Sequence, residues 1–514
     1  MSAELGLALV GTVELCLRFG IRLVELSRSI RGAHDEVDGL LLRLESIWNR
    51  TSVQLRFMSS VSAKLEEDYV KIQQRLLEKL TGTLSVVVAK LDSVVKVNAE
   101  GQESGTRAVK YAFLKNSISR TVQELREWQN EYDPTWFLVV LIHDSLVDAT
   151  LENPQHSKGL GSGPVSIVSH LRGLLKGSTD DNIHVNLDGK DFDLRNTTAL
   201  KYASTRVLSR GGDASERSFL IDTLSCSSYV DVGKAKRDSE SLAKRLKVAN
   251  PETFGLLRCQ GLVKSKAVGA NRLSAIHFVF RMPTQSPPTS LRAELLQEAP
   301  VSLTRVLHIA QCLAKSVSFI HVCDFVHKNI RPETIITVPD GNTSPSDAYL
   351  LGFDGFRSAY YQTTMEGDLA FERNLYRHPS RQGANVQEPY IMQHDIYALG
   401  VCLLEIGLWV SFVAYDDEDT PQMSGGLESD AVGQNFFRTP EMRLKLKEHF
   451  VALARERLPS RMGDKYTTVV VHCLTCLDLD NSNFSEGAIT DEDGVVVGVR
   501  FIEKILLGLN EISM

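Results

Sequence analysis

The sequence predicts an α+β multidomain protein. An all-α helical bundle over residues 1–150 is followed by a bilobal domain over residues 199–514, first β-rich and then helical. Three observations carry this. Apolar residues recur at steps of three and four throughout the first 150 positions, and no proline interrupts them before Pro134. A Gly- and Pro-containing stretch at 151–164 breaks that pattern. From residue 199 short β-type runs appear, and after the Pro-rich segment 283–290 they give way to a strongly amphipathic helix.

The chain has 514 residues, too many for one ordinary domain. Hydrophobic residues make up 43% and charged residues 24%, which excludes wholesale disorder. Basic residues number 57 against 64 acidic ones, a net charge of −7, so no global positive field exists to neutralise phosphates and no nucleic-acid partner is expected. The eight cysteines are scattered. A chain this long builds its cores without disulfides, so a reduced, cytoplasmic protein is expected. Met1-Ser2-Ala3-Glu4 lacks the basic start of a secretory signal. The apolar run Leu5 to Phe19 contains Glu14 and is too short for a membrane span. Neither a signal peptide nor a constitutive transmembrane helix is expected.

Within the bundle, Leu9, Val13, Leu17, Ile21 and Val24 form the first helical set. Val37, Leu41, Leu44, Trp48, Leu55 and Met58 form the second. The third starts at Val61, Leu65 and Tyr69 and continues past Gly82 to Val95; the fourth runs from Leu114 to Tyr132. Asp133-Pro134 reads as the N-cap and first turn of a last helix, Thr135 to Thr150. Residues 1–30 are more apolar than their neighbours and contain Gly6, Gly11 and Gly20, which lower helix stability. They are either ordinary core or a loosely held terminal helix able to enter a lipid surface.

The opening Ala3-Glu4-Leu5-Gly6-Leu7-Ala8, the apolar first helix ending near Phe19-Gly20 and the long helices after it resemble the fungal HeLo domain of HET-s-type, prion-controlled cell-death proteins. The resemblance is diffuse and covers about the first 150 residues. It implies a bundle whose N-terminal helix attacks membranes on activation. Residues 151–198 are expected to be linker and loop. Gly159, Gly161 and Gly163 complete neither a Rossmann nor a P-loop spacing, and no strand precedes them, so they read as a flexible joint.

The β-type runs 206–208, 218–221 and 275–280, with a helical stretch Gly233 to Val248 between the last two, make a first lobe over 199–282. The second lobe, 290–514, opens with the amphipathic helix containing Leu303, Val306, Leu307, Ala310, Leu313, Ala314, Val317 and Ile320. After it, His327-Lys328-Asn329-Ile330-Arg331-Pro332-Glu333-Thr334 has the form of the protein-kinase catalytic loop H-R-D-L-x-x-x-N. Gly352-Phe353-Asp354 stands where D-F-G is expected, and Tyr376-Arg377-His378-Pro379-Ser380 where A-P-E is expected. Asp395 opens an apolar stretch resembling the large buried kinase helix, whose aspartate holds the catalytic loop. In order and spacing, residues 200–510 resemble a protein kinase.

The chemistry of phosphoryl transfer does not survive in these residues. Asn329 replaces the carboxylate that takes the proton of the attacking hydroxyl, and an amide is no base at neutral pH. Gly352 and Thr334 replace the groups that hold magnesium. Asp354, two residues along, is expected to point elsewhere. Phe219 to Tyr229 contains no lysine for the phosphates, and no G-x-G-x-x-G precedes it. Losing one such contact costs on the order of 3 kcal/mol, about a hundredfold in rate. The expectation is a pseudokinase with no catalytic residues, no metal and no cofactor. Metal-independent ATP binding through a hinge at Phe280, Arg281 and Met282 stays open.

The lone pair Cys473/Cys476 reads as helix core rather than a zinc site, and Asp416 to Asp419 as a solvated loop. The basic positions Lys234, Lys236, Arg237, Lys244, Arg245 and Lys247 read as an exposed helix face. A bundle ahead of a dead kinase resembles the arrangement of the mixed-lineage-kinase-like effectors of animal necroptosis. The resemblances imply a signalling pseudokinase that restrains a membrane-targeting bundle in regulated cell death or incompatibility. Its partners would be signalling proteins, membrane lipids through residues 1–30, and further copies of itself on activation, with recruitment from the cytoplasm to the plasma membrane. The alternatives are a protein-interaction scaffold and an atypical ATP-binding kinase using Asp354 or Glu333.

Overall fold

The computed structural model describes residues 2–30, 35–99, 107–152, 163–176, 183–190, 192–210, 217–226, 231–267, 272–297, 299–339, 347–353, 357–358, 366–386, 388–424, 427, 436–485 and 495–512. The chain divides into two compact units, Met1–Arg172 and Gly173–Met514. The first is all-helical; the second mixes sheets and helices, so the protein is α+β and multidomain.

The first unit contains α1 (Ser2–Ile30), α2 (Asp35–Val61), α3 (Glu67–Ala99), α4 (Arg107–Phe137), α5 (Ser145–Glu152) and α6 (Pro164–Leu175, which ends just beyond the unit). α1 does not stop near Phe19-Gly20. It continues to Ile30, packed against α3 and α2. Its buried line is Leu9, Val13, Cys16, Leu23, Leu26 and Ile30, whereas Ile21 is 51% exposed. Steps of four overshoot the 3.6-residue turn by about 40° each, so the set Leu9, Val13, Leu17, Ile21 winds off the core face. Gly20 is where the Trp48 indole of α2 lies directly on the α1 backbone; a Cβ there would fall inside the ring. That glycine permits a close approach rather than loosening the helix.

The expected helix start at Asp133-Pro134 is also corrected. α4 passes through Pro134 to Phe137, and the chain breaks later, at residues 141–144. Asp133 is no N-cap: its carboxylate accepts Arg50 Nη2 at 2.5 Å and Gln54 Nε2 at 2.9 Å, both from α2. Asp144 takes the capping role instead, accepting the Leu146 N–H at 2.7 Å. No single helix among the described residues is long and apolar enough to cross a membrane.

Several parts of the expected linker 151–198 are structured. Besides α6, Val185 and Leu187 exchange backbone hydrogen bonds with Leu262 at 2.6 and 2.8 Å. The glycines Gly159 and Gly161 lie outside the described residues.

The second unit begins with an antiparallel five-stranded sheet in the order β1-β2-β3-β5-β4. Its strands are β1 (Thr197–Ala199), β2 (Arg206–Arg210), β3 (Arg217–Ser225), β4 (Cys259–Lys266) and β5 (Leu273–Arg281). Helix α7 (Val232–Leu246), capped by Asp231, connects β3 to β4 with the short α8 (Pro251–Phe254). Side chains alternate along a strand. Phe219 and Ile221 therefore join Leu208, Val263 and Val279 in one core, while Leu220 and Asp222 face the other way. The register sets Leu220 opposite Phe280 and Asp222 opposite Phe278.

A short connector leads to β6 (Thr289–Ser290) and α9 (Leu291–Leu295). The helical lobe follows, built on α10 (Leu303–Val322), capped by Ser302. β7 (Phe325–Val326), β8 (Ile335–Val338) and β9 (Asp347–Leu350) carry the loop of interest. Further on, α11 (Met392–Leu408) is buried from Gln393 onward and packs on α10 and on a long helix, Pro440–Leu474, that breaks at Gly463. Cys473 and Cys476 are buried at its end, and Asp416 to Asp419 form an exposed turn between two short strands.

Candidate functional site

The loop His327–Thr334 leaves β7 and returns into β8. Asp395, in the first turn of α11 and fully buried, fixes it in place. One carboxylate oxygen accepts the His327 N–H at 2.7 Å and the other the Lys328 N–H at 2.9 Å. Tyr390 Oη donates to the same carboxylate at 2.6 Å, and His321 Nε2 lies 3.2 Å from it. Burial alone would raise this carboxyl's pKa, but the surrounding donors and histidines hold it below the ordinary aspartate value. Lys328 adopts φ +65°, a tight turn that directs the next residue inward.

Asn329 spends both ends of its amide inside the protein. Its Nδ2 donates to the Gly352 carbonyl at 3.2 Å, and its Oδ1 accepts Arg331 Nε at 2.8 Å. The Thr334 hydroxyl donates to the carbonyls of Asn329 and Arg331, at 2.8 and 2.9 Å. Gly352, at φ +83°, has no room for a side chain: a Cβ would overlap Thr334 Cγ2 and sit 2.7 Å from Thr334 Cβ. A carboxylate at position 352 is therefore incompatible with Thr334 as placed, quite apart from the missing charge.

Across this loop stands Asp222, on β3 and only 1% exposed. One oxygen, Oδ2, accepts both the Gly352 N–H at 2.9 Å and the Phe353 N–H at 2.6 Å. Phe219-Leu220-Ile221-Asp222 has the pattern of the kinase strand V-A-I-K, with an acid where the lysine stands. The expected absence of a lysine missed this inversion of charge. The apolar triplet ending in a charged residue was the available signal. Phe353 is buried beneath Asp222, with ring centroids 5.8 Å from Phe280, 6.1 Å from Phe278 and 5.0 Å from His327. Asp354 lies outside the described residues.

The possible hinge residues Phe280, Arg281 and Met282 lie at the end of β5. Phe280 and Arg281 belong to β5, with Phe280 paired to Leu220 and Cys259. The Met282 N–H already donates to Ser218 O at 3.1 Å. Glu240 of α7 pairs with Lys264 of β4 at 2.6 Å. Glu333 is likewise engaged: it lies 3.1 Å from Arg292 Nε and accepts Tyr415 Oη at 3.1 Å. The fully buried Arg292 also bonds Glu405 at 2.8 Å, and Tyr376 Oη donates to Glu405 at 2.7 Å. Pro379 opens a single turn, Pro379–Arg381, behind His378. This ionic knot was not legible, because its members are separated by up to 113 positions in the chain.

Beside the loop, a narrow cleft is lined by Lys328, Arg331, Arg373, Arg377 and Tyr390. Asp368 neutralises part of it, at 2.5 Å from Arg373 and 3.1 Å from Arg377. The acids Asp222, Glu333 and Asp395 all face protein donors.

No protein-family model matches the chain. The sequence is similar to a putative serine/threonine-protein kinase of Mycoplasma pneumoniae, 26% identical over 132 residues. That stretch is 23% of this chain, and it spans about a third (33%) of the relative's length.

Proposed function

We propose that the second unit is a protein-kinase-like domain that does not transfer phosphate and acts in signalling through the proteins it binds. The observation that carries this reading is Asp222 on the Gly352 and Phe353 N–H groups. A carboxylate there repels phosphate in the place where transfer needs a cation, and no magnesium-holding acid faces it among the described residues. The order β1-β2-β3-β5-β4 with a helix between β3 and β4, the helical lobe and the Asp395-held loop support the kinase-like frame. So does the similarity to the Mycoplasma protein.

For the first unit, the HeLo-like start supports an output at membranes, controlled by the kinase-like domain in regulated cell death. Its energetic requirement is plain. Releasing α1 would expose Leu9, Val13, Leu23, Leu26 and Ile30. At roughly 1.5–3 kcal/mol per side chain this is on the order of 10 kcal/mol, which an activating partner and the lipid must together supply. The same packing favours a second reading, a scaffold in which both units bind proteins and nothing touches lipid.

The test is nucleotide binding by the full chain, followed as a shift in melting temperature with ATP alone and with ATP and magnesium. Neither condition is expected to stabilise the protein. Magnesium-dependent stabilisation, or radiolabelled phosphate transfer, would overturn the reading. Dye release from anionic liposomes by the activated full chain separates the membrane output from the scaffold.

A further inference from the structure

On the side of the helical lobe, away from the loop chemistry, three side chains with metal-binding atoms converge. His308 and Cys312 stand four residues apart on α10, on one helix face. Asp347, the first residue of β9, reaches the same point. His308 Nε2 lies 2.7 Å from Asp347 Oδ1 and 3.5 Å from Cys312 Sγ, and all three donor atoms fall within 4.8 Å of one another. None of the three residues is fully buried.

We propose that His308, Cys312 and Asp347 bind a zinc-class divalent transition metal, with solvent in the fourth position. Tetrahedral zinc with bonds of about 2.3 Å to sulfur and 2.0–2.1 Å to nitrogen sets sulfur and nitrogen about 3.6 Å apart, and nitrogen and oxygen about 3.3 Å apart. The sulfur–nitrogen separation already matches. The nitrogen–oxygen pair must open by about 0.6 Å, a small torsion of the half-exposed Asp347 side chain. A mixed sulfur, nitrogen and oxygen set selects zinc, cobalt or nickel over magnesium and calcium, which take oxygen donors. The charges close as well: a thiolate and a carboxylate balance a dication. On binding, the Cys312 thiol proton and the proton shared between His308 and Asp347 leave to solvent. Tyr349 Oη donates to the other Asp347 oxygen at 3.1 Å and orients the carboxylate from behind.

The location gives the metal a structural role. It would pin the start of β9, five residues before Gly352, to the long helix α10. An occupied site would stiffen the strand that delivers Gly352 and Phe353 to Asp222. The inference is independent of the proposed signalling function, because a metal here touches none of the loop residues.

Two measurements on the full chain test it. Cobalt(II) titration should give one equivalent with a sulfur-to-cobalt charge-transfer band and the intense visible bands of four-coordination, both displaced by zinc. Cys312→Ser should lose the charge-transfer band, and Asp347→Asn should weaken binding about 10- to 100-fold. No band at stoichiometric cobalt, or a band that survives in Cys312→Ser, overturns the site. The second measurement needs no variant. Of the eight cysteines, Cys312 alone is not buried, so it is the thiol that an alkylating reagent reaches in the folded protein. Equimolar zinc should slow its alkylation at least tenfold; an unchanged rate overturns the proposal.

Discussion

Replacing Asp222 with alanine is the most direct probe of the closed loop. The side chain is buried, and one of its oxygens takes two backbone N–H groups at 2.9 and 2.6 Å. A hydrogen bond to a charged group contributes about 1.5–3 kcal/mol, so two bonds give a gross range of about 3–6 kcal/mol. Both end on the same oxygen and are not additive, which brings the expected loss for Asp222→Ala to about 3–4 kcal/mol. Asp222→Asn keeps an acceptor but loses the charge, and should cost about half as much. At about 2.1 cal/mol/K per residue, a unit of the size of Gly173–Met514 loses about 1.4 °C per kcal/mol, so the alanine variant should melt roughly 5 °C lower. Scanning calorimetry and urea titration of the full chain measure this. The ligand side follows from the same charge. A phosphate oxygen about 4 Å from Asp222 is repelled by about 4 kcal/mol at an effective dielectric of 20. Removing the acid relieves that repulsion but supplies no cation, so neither variant should gain magnesium-dependent ATP binding. An Asp222→Ala protein within 1 kcal/mol of wild type, or a variant that binds Mg-ATP, refutes the reasoning.

Gly352→Asp, which would restore the acid of D-F-G, should not restore function. Its Cβ meets Thr334 and its φ of +83° is strained for any side chain, so a loss of about 3 kcal/mol is expected by denaturant titration. Adding Thr334→Ala should recover part of it. His378 gives a pH dependence. Burial, reinforced by His394 and Lys447, lowers its pKa to about 3. A histidine held neutral contributes stability that is fully present above its unfolded pKa of about 6.5 and is lost as pH falls toward 3. The wild type should therefore lose more stability than His378→Gln between pH 6.5 and 4, by up to about 3 kcal/mol at the low end. Equal losses in the two proteins would show that His378 does not drive the acid transition.

The elements with local signatures were legible from the residues. α2, α3 and α10 follow from apolar period alone, and His327–Thr334 and Gly352-Phe353 from residue order. What failed had non-local causes. Asp133-Pro134 carries a strong local start signal, yet Arg50 and Gln54, about eighty positions away, claim the carboxylate and let the helix run on. Asp222 was signalled only by the apolar triplet before it, because an acid on a strand ordinarily faces water. Only the alternation of β3 against Phe278 and Phe280 turns it inward.

The residues at the loop form a connected set. Removing the side chain at 352 opens space that Thr334 fills. Thr334 and Arg331 then fix Asn329, and Asn329 binds the Gly352 carbonyl. Asp222 satisfies the N–H groups that the same backbone presents. These residues bond to one another, and the contacts fix the loop. Replacing one of these residues therefore breaks contacts with the others.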